Sequence, residues 1–145
     1  MGAPVFPSGP VELRISLRCD LAEVRRVAWR TLEFLEAQSC TREDCLDCEL
    51  ALVEACNNAI QNAAPEACRT PVMVQVRCDP KLIEMRITDH TAGFEWPKQP
   101  VLPPPESEHG RGIYLIRSLM DQTEYHHRAG ENTLVLRRRR RQPAR

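Results

Sequence analysis

Residues 71–89 constrain the fold more than any other stretch. Val72, Val74, Val76 and Cys78 recur at every second position, and Ile83, Met85 and Ile87 do so again after the tight turn Asp79-Pro80-Lys81. Side chains of a strand point alternately to its two faces, so each run buries one face only. Two such runs across a turn read as a hairpin, over 71–78 and Leu82–Asp89. A sheet with one apolar face needs a second layer to cover it. Asp89 continues the apolar parity at the end of the second run, so its carboxylate points toward the core or a pocket and not simply to water.

The rest of the chain supplies the cover. Val11–Arg18 alternates as a half-buried strand, with Val11, Leu13, Ile15 and Leu17 on one face. Asp20 follows as a helix N-cap, with Glu23 as its capping-box partner. Leu21, Val24, Ala28, Leu32 and Leu35 form the apolar stripe of that helix, which runs to about Gln38. Thr41 is a second N-cap, with Glu43 and Asp44 in the first turn, where acids suit the helix dipole. This second helix ends near Pro65. After the hairpin come a long irregular segment at 90–109, a short helix at Ile113–Met120, and a last hairpin, Asp121–Arg128 with Asn132–Arg139, around Ala129-Gly130-Glu131. Strands come in adjacent pairs. The expected architecture is α+β, a two-layer sandwich of a mixed, mostly antiparallel sheet with helices on one face.

At 145 residues the chain suggests one domain. We place a loose leader at 1–10, the domain at 11–137 and a basic tail at 138–145. Six of the 20 basic residues are Arg137–Arg141 and Arg145, no acid follows Glu131, and the formal net charge is zero. An acidic body with a basic tail argues against direct nucleic-acid binding. The arginine run reads as a solvated terminus, or more sharply as a contact for an acidic partner or a nucleic acid. No apolar run approaches 18 residues, so no membrane span is expected. MGAPVFPSGP lacks the layout of a signal peptide. The seven cysteines are odd in number and fall mostly within helices and strands, which favours reduced thiols and a cytoplasmic setting. Cys40, Cys45, Cys48 and Cys56 admit a zinc reading, but no second Cys-x-x-Cys or paired His completes it, so they are taken as small thiols.

Within the second helix, Glu54, Asn58 and Asn62 recur every four residues and so form one row. Leu46 and Leu50 precede them on that row. A solvated row would mix Lys, Arg and Glu; this one reads as polar groups at the edge of a core, each needing a partner. Two further features could converge on it. Asp89 ends a strand, and Gly110-Arg111-Gly112 opens a helix, with the Pro-rich 90–109 segment between them as a candidate lid. A helix start after glycines offers free N–H groups and a positive dipole end to phosphate. A carboxamide can give an oxygen to Mg²⁺, a carboxylate one turn away can accept a hydroxyl proton, and a strand-end carboxylate can accept from an exocyclic amine. Together these describe an ATP site, although each alone has a structural reading as a helix-packing pair, a turn acceptor or a helix-start turn.

Glu54-x-x-x-Asn58, Asp89-x-Thr91-x-Gly93 and Gly110-x-Gly112, in this order, resemble the N, G1 and G2 boxes of the GHKL, or Bergerat-fold, ATPases. The short length, the leading strand and helix, and the run HGRGIYLIRSLMD resemble the bacterial anti-sigma-factor serine/threonine kinases. The resemblance spans about residues 11–137. It implies Glu54 as the general base, Asn58 as the Mg²⁺ ligand, Asp89 as the reader of adenine and Gly93 as a point of close backbone approach. Gly110 and Gly112 would hold phosphates, with Arg111 adding charge. Asn62, His109 and Thr133 complete the implied nucleotide contacts. The cofactors implied are ATP and Mg²⁺. The partners implied are a sigma factor and an antagonist carrying the acceptor Ser or Thr, and homodimers are common in the family. Two positions depart from its pattern. Asn62 stands where His is frequent. Thr91 stands where Gly is usual, and if that position needs φ > 0 a β-branched residue there is strained and the loop is rebuilt. The competing function is a sequestering protein, ATP-gated or nucleotide-free, without kinase activity.

Overall fold

The computed structural model describes residues 9–61, 63–93, 96 and 111–142. In chain order these form β1 (Val11–Leu17), α1 (Leu21–Ala37), α2 (Arg42–Gln61), a 3-10 turn (Ala67–Arg69), β2 (Val72–Cys78), β3 (Leu82–Asp89), α3 (Arg111–Leu119), β4 (Gln122–Arg128) and β5 (Glu131–Arg139). The strands make one sheet in the order β1-β2-β3-β5-β4. Every pairing among the described residues is antiparallel, within the mostly antiparallel sheet expected. The architecture is the expected α+β two-layer sandwich. The β2–β3 hairpin forms as read, and Asp79 Oδ1 closes its turn by accepting from the N–H groups of Lys81 and Leu82, both at 2.7 Å.

The even positions of β2 and the odd positions of β1 and β3 are buried beneath the helices, as their periodicity requires. Leu13 pairs with Val76, Ile15 with Val74, and Val74 with Ile87. From β5, Leu134 and Leu136 join the same face. Helix α1 adds Val24, Val27, Ala28 and Leu35. Leu21, expected in that stripe, lies at the helix's first position and is exposed. Asp20 caps α1 by accepting from Ala22 N–H at 2.9 Å, while Glu23 reaches past the cap to accept from Arg18 N–H at 2.7 Å. The inner face of α2 is built of small residues: Cys45, Cys48, Ala51, Ala55, Cys56 and Ala59 around Leu52. Small side chains let the helix axis settle close to the sheet without voids. The buried cysteines are thus packing residues, and among the described residues no cluster of His, Cys, Asp or Glu has metal-binding geometry.

The arginine run is corrected most. Arg137 lies between Glu84 (2.9 Å) and Glu124 (2.6 Å) on the uncovered face of the sheet. Arg138, on the covered face, is buried against Asp44 at 2.8 Å and Asp47 at 3.0 Å, and donates to Leu119 O. Arg140 donates to the carbonyls of Asp79 and Gln38, and Arg141 N–H to Asp44. These residues belong to the fold and not to a solvated tail, so the folded unit runs past 137. No described helix is long and apolar enough to cross a membrane.

Candidate functional site

The row on α2 is placed differently from its sequence reading. Leu46 and Leu50 are 43% exposed, so the first half of the row faces outward and is not core. Glu54 and Asn58, one and two turns further on, are half-buried. What covers them is the start of α3. A Cβ on Gly112 would lie 2.9 Å from Glu54 Oε2 and 3.3 Å from Asn58 Nδ2, inside contact distance. Glycine is therefore what allows the α3 backbone to meet the row. The structure brings together Glu54, Asn58 and the first turn of α3 with Arg111 and Gly112. Asn62, His109 and Gly110 lie outside the described residues, as does most of the candidate lid.

Asp89 is 9% exposed and faces the helices, as parity required. Its Oδ1 accepts three hydrogen bonds: from Thr91 N–H (3.0 Å), the Thr91 hydroxyl (2.8 Å) and the Asn132 side-chain amide (2.9 Å). Asn132 donates also to Thr91 O at 2.9 Å, and its own Oδ1 meets His127 Nδ1. The Thr91 hydroxyl accepts in turn from Gly93 N–H at 3.1 Å. Among the described residues no donor reaches Asp89 Oδ2.

The strain expected at Thr91 is absent. Ser39 is the only described non-glycine residue with positive φ; the left-handed position in the loop is Gly93, at φ +83°. A Cβ there would lie 2.8 Å from Asn132 Oδ1 and 3.0 Å from His127 Nδ1. Thr91, which sequence reasoning set down as a departure, is thus a support: its hydroxyl links the carboxylate to the Gly93 backbone.

Thr133 is not at the site. It pairs across the strands with Thr88, and the two hydroxyls meet at 3.1 Å on the uncovered face. Its neighbour Asn132 pairs with Asp89 and is fully buried on the covered face. A one-residue slip along a strand exchanges faces, which is the whole of that error. The signal for Asn132 was present, since it shares parity with Leu134 and Leu136. Beyond Gly93 the site is flanked by Trp96, whose ring stacks on Tyr125 at 6.0 Å between centroids and carries the Arg117 guanidinium 4.8 Å above it. Trp96 and Tyr125 were also missed, because nothing in their spacing pairs a loop residue with β4.

The donor set fits a metal-bound nucleotide. Asn58 offers a neutral oxygen of the kind Mg²⁺ accepts alongside waters and phosphates. The start of α3 offers N–H groups and the positive end of a helix dipole. Asp89 offers a buried acceptor at the end of β3.

A family model described as histidine kinase-like ATPase domain matches residues 17–138. No curated protein matches the chain. Among solved structures the fold is similar to the RsbU and RsbW domains of Rv1364c from Mycobacterium tuberculosis, with a TM-score of 0.71 and 20% identity over 93% of this chain. The chain spans only 34% of that one. It is also similar to the SiaB–SiaC complex from Pseudomonas aeruginosa, with a TM-score of 0.62 and 9% identity, over 86% of this chain and 88% of that one. At such identities the likeness is one of fold.

Proposed function

The chain belongs to the histidine kinase-like ATPase family, and we propose that it is an ATP-dependent serine/threonine protein kinase acting as an anti-sigma factor. Its substrate would be an antagonist protein carrying the acceptor Ser or Thr, and in its other state it would hold a sigma factor. The observation that supports this reading best is the seating of Gly112 on Glu54 and Asn58. A general base, a metal ligand and a phosphate-binding helix start then share one place, as phosphoryl transfer demands of a site that works by positioning and electrostatics.

Glu54 would accept the proton of the acceptor hydroxyl. Asn58 would hold Mg²⁺, which when bound supplies charge neutralisation for the phosphates. The N–H groups at the start of α3 would orient the phosphates, with Arg111 beside them. Asp89 Oδ2 would accept from the exocyclic amine of adenine, while Thr91 and Asn132 keep its other oxygen occupied and the carboxylate plane fixed. The competing reading, a sequestering protein without kinase activity, rested on strain at Thr91, and that strain is absent.

The test uses labelled ATP, Mg²⁺ and a candidate antagonist, with Glu54→Ala in parallel. We expect transfer to the antagonist by the native protein, and ATP binding without transfer by the variant. ATP binding by the native protein with no transfer would sink the kinase reading and leave the binding protein.

A further inference from the structure

Two thiols far from the candidate site face each other. Cys40, in the α1–α2 connection, and Cys78, at the end of β2, have sulfurs 3.7 Å apart. They come from elements 38 residues apart in sequence, so the approach is a product of the fold. Arg140 lies beside them, its guanidinium fixed by the carbonyls of Gln38 and Asp79. Cys78, Gln38, Ser39 and Arg140 line a cavity of about 260 Å³, several times the share of liquid volume taken by one water. Cys40 is half-buried and sits between the helices, its N–H donating to Leu35 O at the end of α1 at 3.2 Å.

The other cysteines of α2 are in a different situation. Burial raises the Cys45 thiol to about 11 and the Cys56 thiol to about 12, which keeps both protonated and inert. Between Cys40 and Cys78 the shifts diverge. The hydrogen bond with Cys40 lowers Cys78 against the opposing effect of burial, and the Arg140 cation lowers it further. Cys40 is raised, first by that same hydrogen bond. Cys78 lines the cavity beside Arg140 while Cys40 does not, so Cys78 is the sulfur an incoming oxidant meets.

We propose that Cys40 and Cys78 form a redox-active dithiol that a hydroperoxide converts to a disulfide. The Cys78 thiolate attacks the terminal peroxide oxygen, the O–O bond breaks, and the alkoxide leaves as an alcohol after taking up a proton. Cys78 is then a sulfenic acid. The Cys40 sulfur attacks it, the S–O bond breaks, and hydroxide leaves as water with the Cys40 proton. Two thiols lose two electrons and two protons in all, and the peroxide is reduced to alcohol and water. The sulfurs must close to a bond length of about 2.05 Å, a movement open to a side chain in a connection. The bond closes a loop that contains the whole of α2, with Glu54 and Asn58 on it.

The test treats the full chain with a small excess of tert-butyl hydroperoxide and maps it by peptide mass spectrometry without reduction. We expect a Cys40–Cys78 link, a mass loss of about 2 Da, two thiols fewer than the seven of the reduced chain, and full reversal by dithiothreitol. In Cys40→Ser, where the link is impossible and the half-buried connection takes a hydroxyl of similar size, dimedone should label Cys78. A chain that keeps both thiols while the exposed Cys68 oxidises would overturn the proposal. So would a link confined to Cys19–Cys68 or Cys40–Cys45, or a Cys40→Ser variant in which dimedone labels other cysteines but not Cys78.

Discussion

Two carboxylates among the described residues lie out of water, and they are satisfied in opposite ways. Asp44, near the start of α2, is 0% exposed and is met by the Arg138 guanidinium and by Arg141 N–H. Asp89, at the end of β3, is 9% exposed and is met only by neutral donors, all on one oxygen. A buried charge is costly unless paired. At Asp44 the pairing is complete and internal, and the Arg138 guanidinium feels the same bargain: burial lowers its pKa, but Asp44 and Asp47 outweigh that and hold it above the ordinary value. At Asp89 three hydrogen bonds hold the group without neutralising it, and one oxygen is left over. The first arrangement welds helix to sheet. The second leaves an acceptor oxygen that the proposed function gives to adenine.

Breaking the weld should give the largest effect. Asp44→Asn or Arg138→Ala removes the direct ion pair from a buried place, leaving Arg138 with Asp47 or Asp44 with the Arg141 N–H, and is expected to cost about 3–5 kcal/mol in denaturant unfolding. The double variant Asp44→Leu with Arg138→Met should recover most of that, because an apolar pair of similar volume removes both desolvation penalties. If each single change costs under about 1 kcal/mol, the pair is not the weld described. Next in size is Asn132→Ala. It removes donors to Asp89 Oδ1 and to Thr91 O, both buried, and should cost about 1–3 kcal/mol in stability. It should also weaken ATP binding, measured by titration.

Asp89→Asn sharpens the contrast from the other side. The amide oxygen can still accept from Thr91 and Asn132, so the fold should lose less than about 1 kcal/mol. The amide nitrogen then faces the site, a donor where an adenine amine needs an acceptor. ATP binding should fall by about 1.5–3 kcal/mol. A variant that binds ATP as the native protein does would remove Asp89 from the nucleotide.

How much of this was legible beforehand follows from which residues obey short periods. Period-two runs placed β1, β2 and β3 and aimed Asp89 inward, because burial of one face leaves a strand no freedom of parity, while β4 and β5 were read from the turn Ala129-Gly130-Glu131 between them. The same rule, applied to β5 with care, would have chosen Asn132 over Thr133. The caps Asp20 and Thr41 were readable because the donors they accept from are two and three residues away. The arginines were not readable. Arg138 meets Asp44 across 94 residues, and composition at a chain end looks the same whether it is solvated or buried. Nor could the spacing of Leu46, Leu50, Glu54 and Asn58 say where α3 would lie, and it is α3 that divides that row into a covered half and an open half.

Gly112→Ala tests that division with a smaller structural effect. The added methyl meets the ends of two flexible side chains, which can turn away, and alanine favours a helix over glycine by about 1 kcal/mol. Stability should hold or rise slightly. Glu54 and Asn58 should be displaced, so phosphate transfer should fall at least about tenfold, equivalent to about 1.4 kcal/mol in the barrier. Loss of fold with loss of transfer would mean that Gly112 is a packing glycine only.

The smallest expected effect lies at a third carboxylate, between the two extremes. Glu84, on the uncovered face, is cornered by Arg86 at 2.8 Å and Arg137 at 2.9 Å. Burial raises its pKa, but the hydrogen bonds and charges of the two arginines outweigh that and leave it below the ordinary carboxylate value. A group with a depressed folded pKa contributes stability above its unfolded value, and the contribution is lost as pH falls through the folded one. Glu84→Gln should therefore lower stability at neutral pH, and the gap to the native protein should close below the carboxylate range. Arg137 keeps Glu124 in the variant and Arg86 is partly solvated, so the loss should be no more than about 1 kcal/mol. A gap that persists at low pH would show that Glu84 acts by packing and not by charge. A gap as large as that of Asp44→Asn would mean that the open face of the sheet is welded too, and that exposure, not pairing, had been misjudged as the measure of what holds this fold.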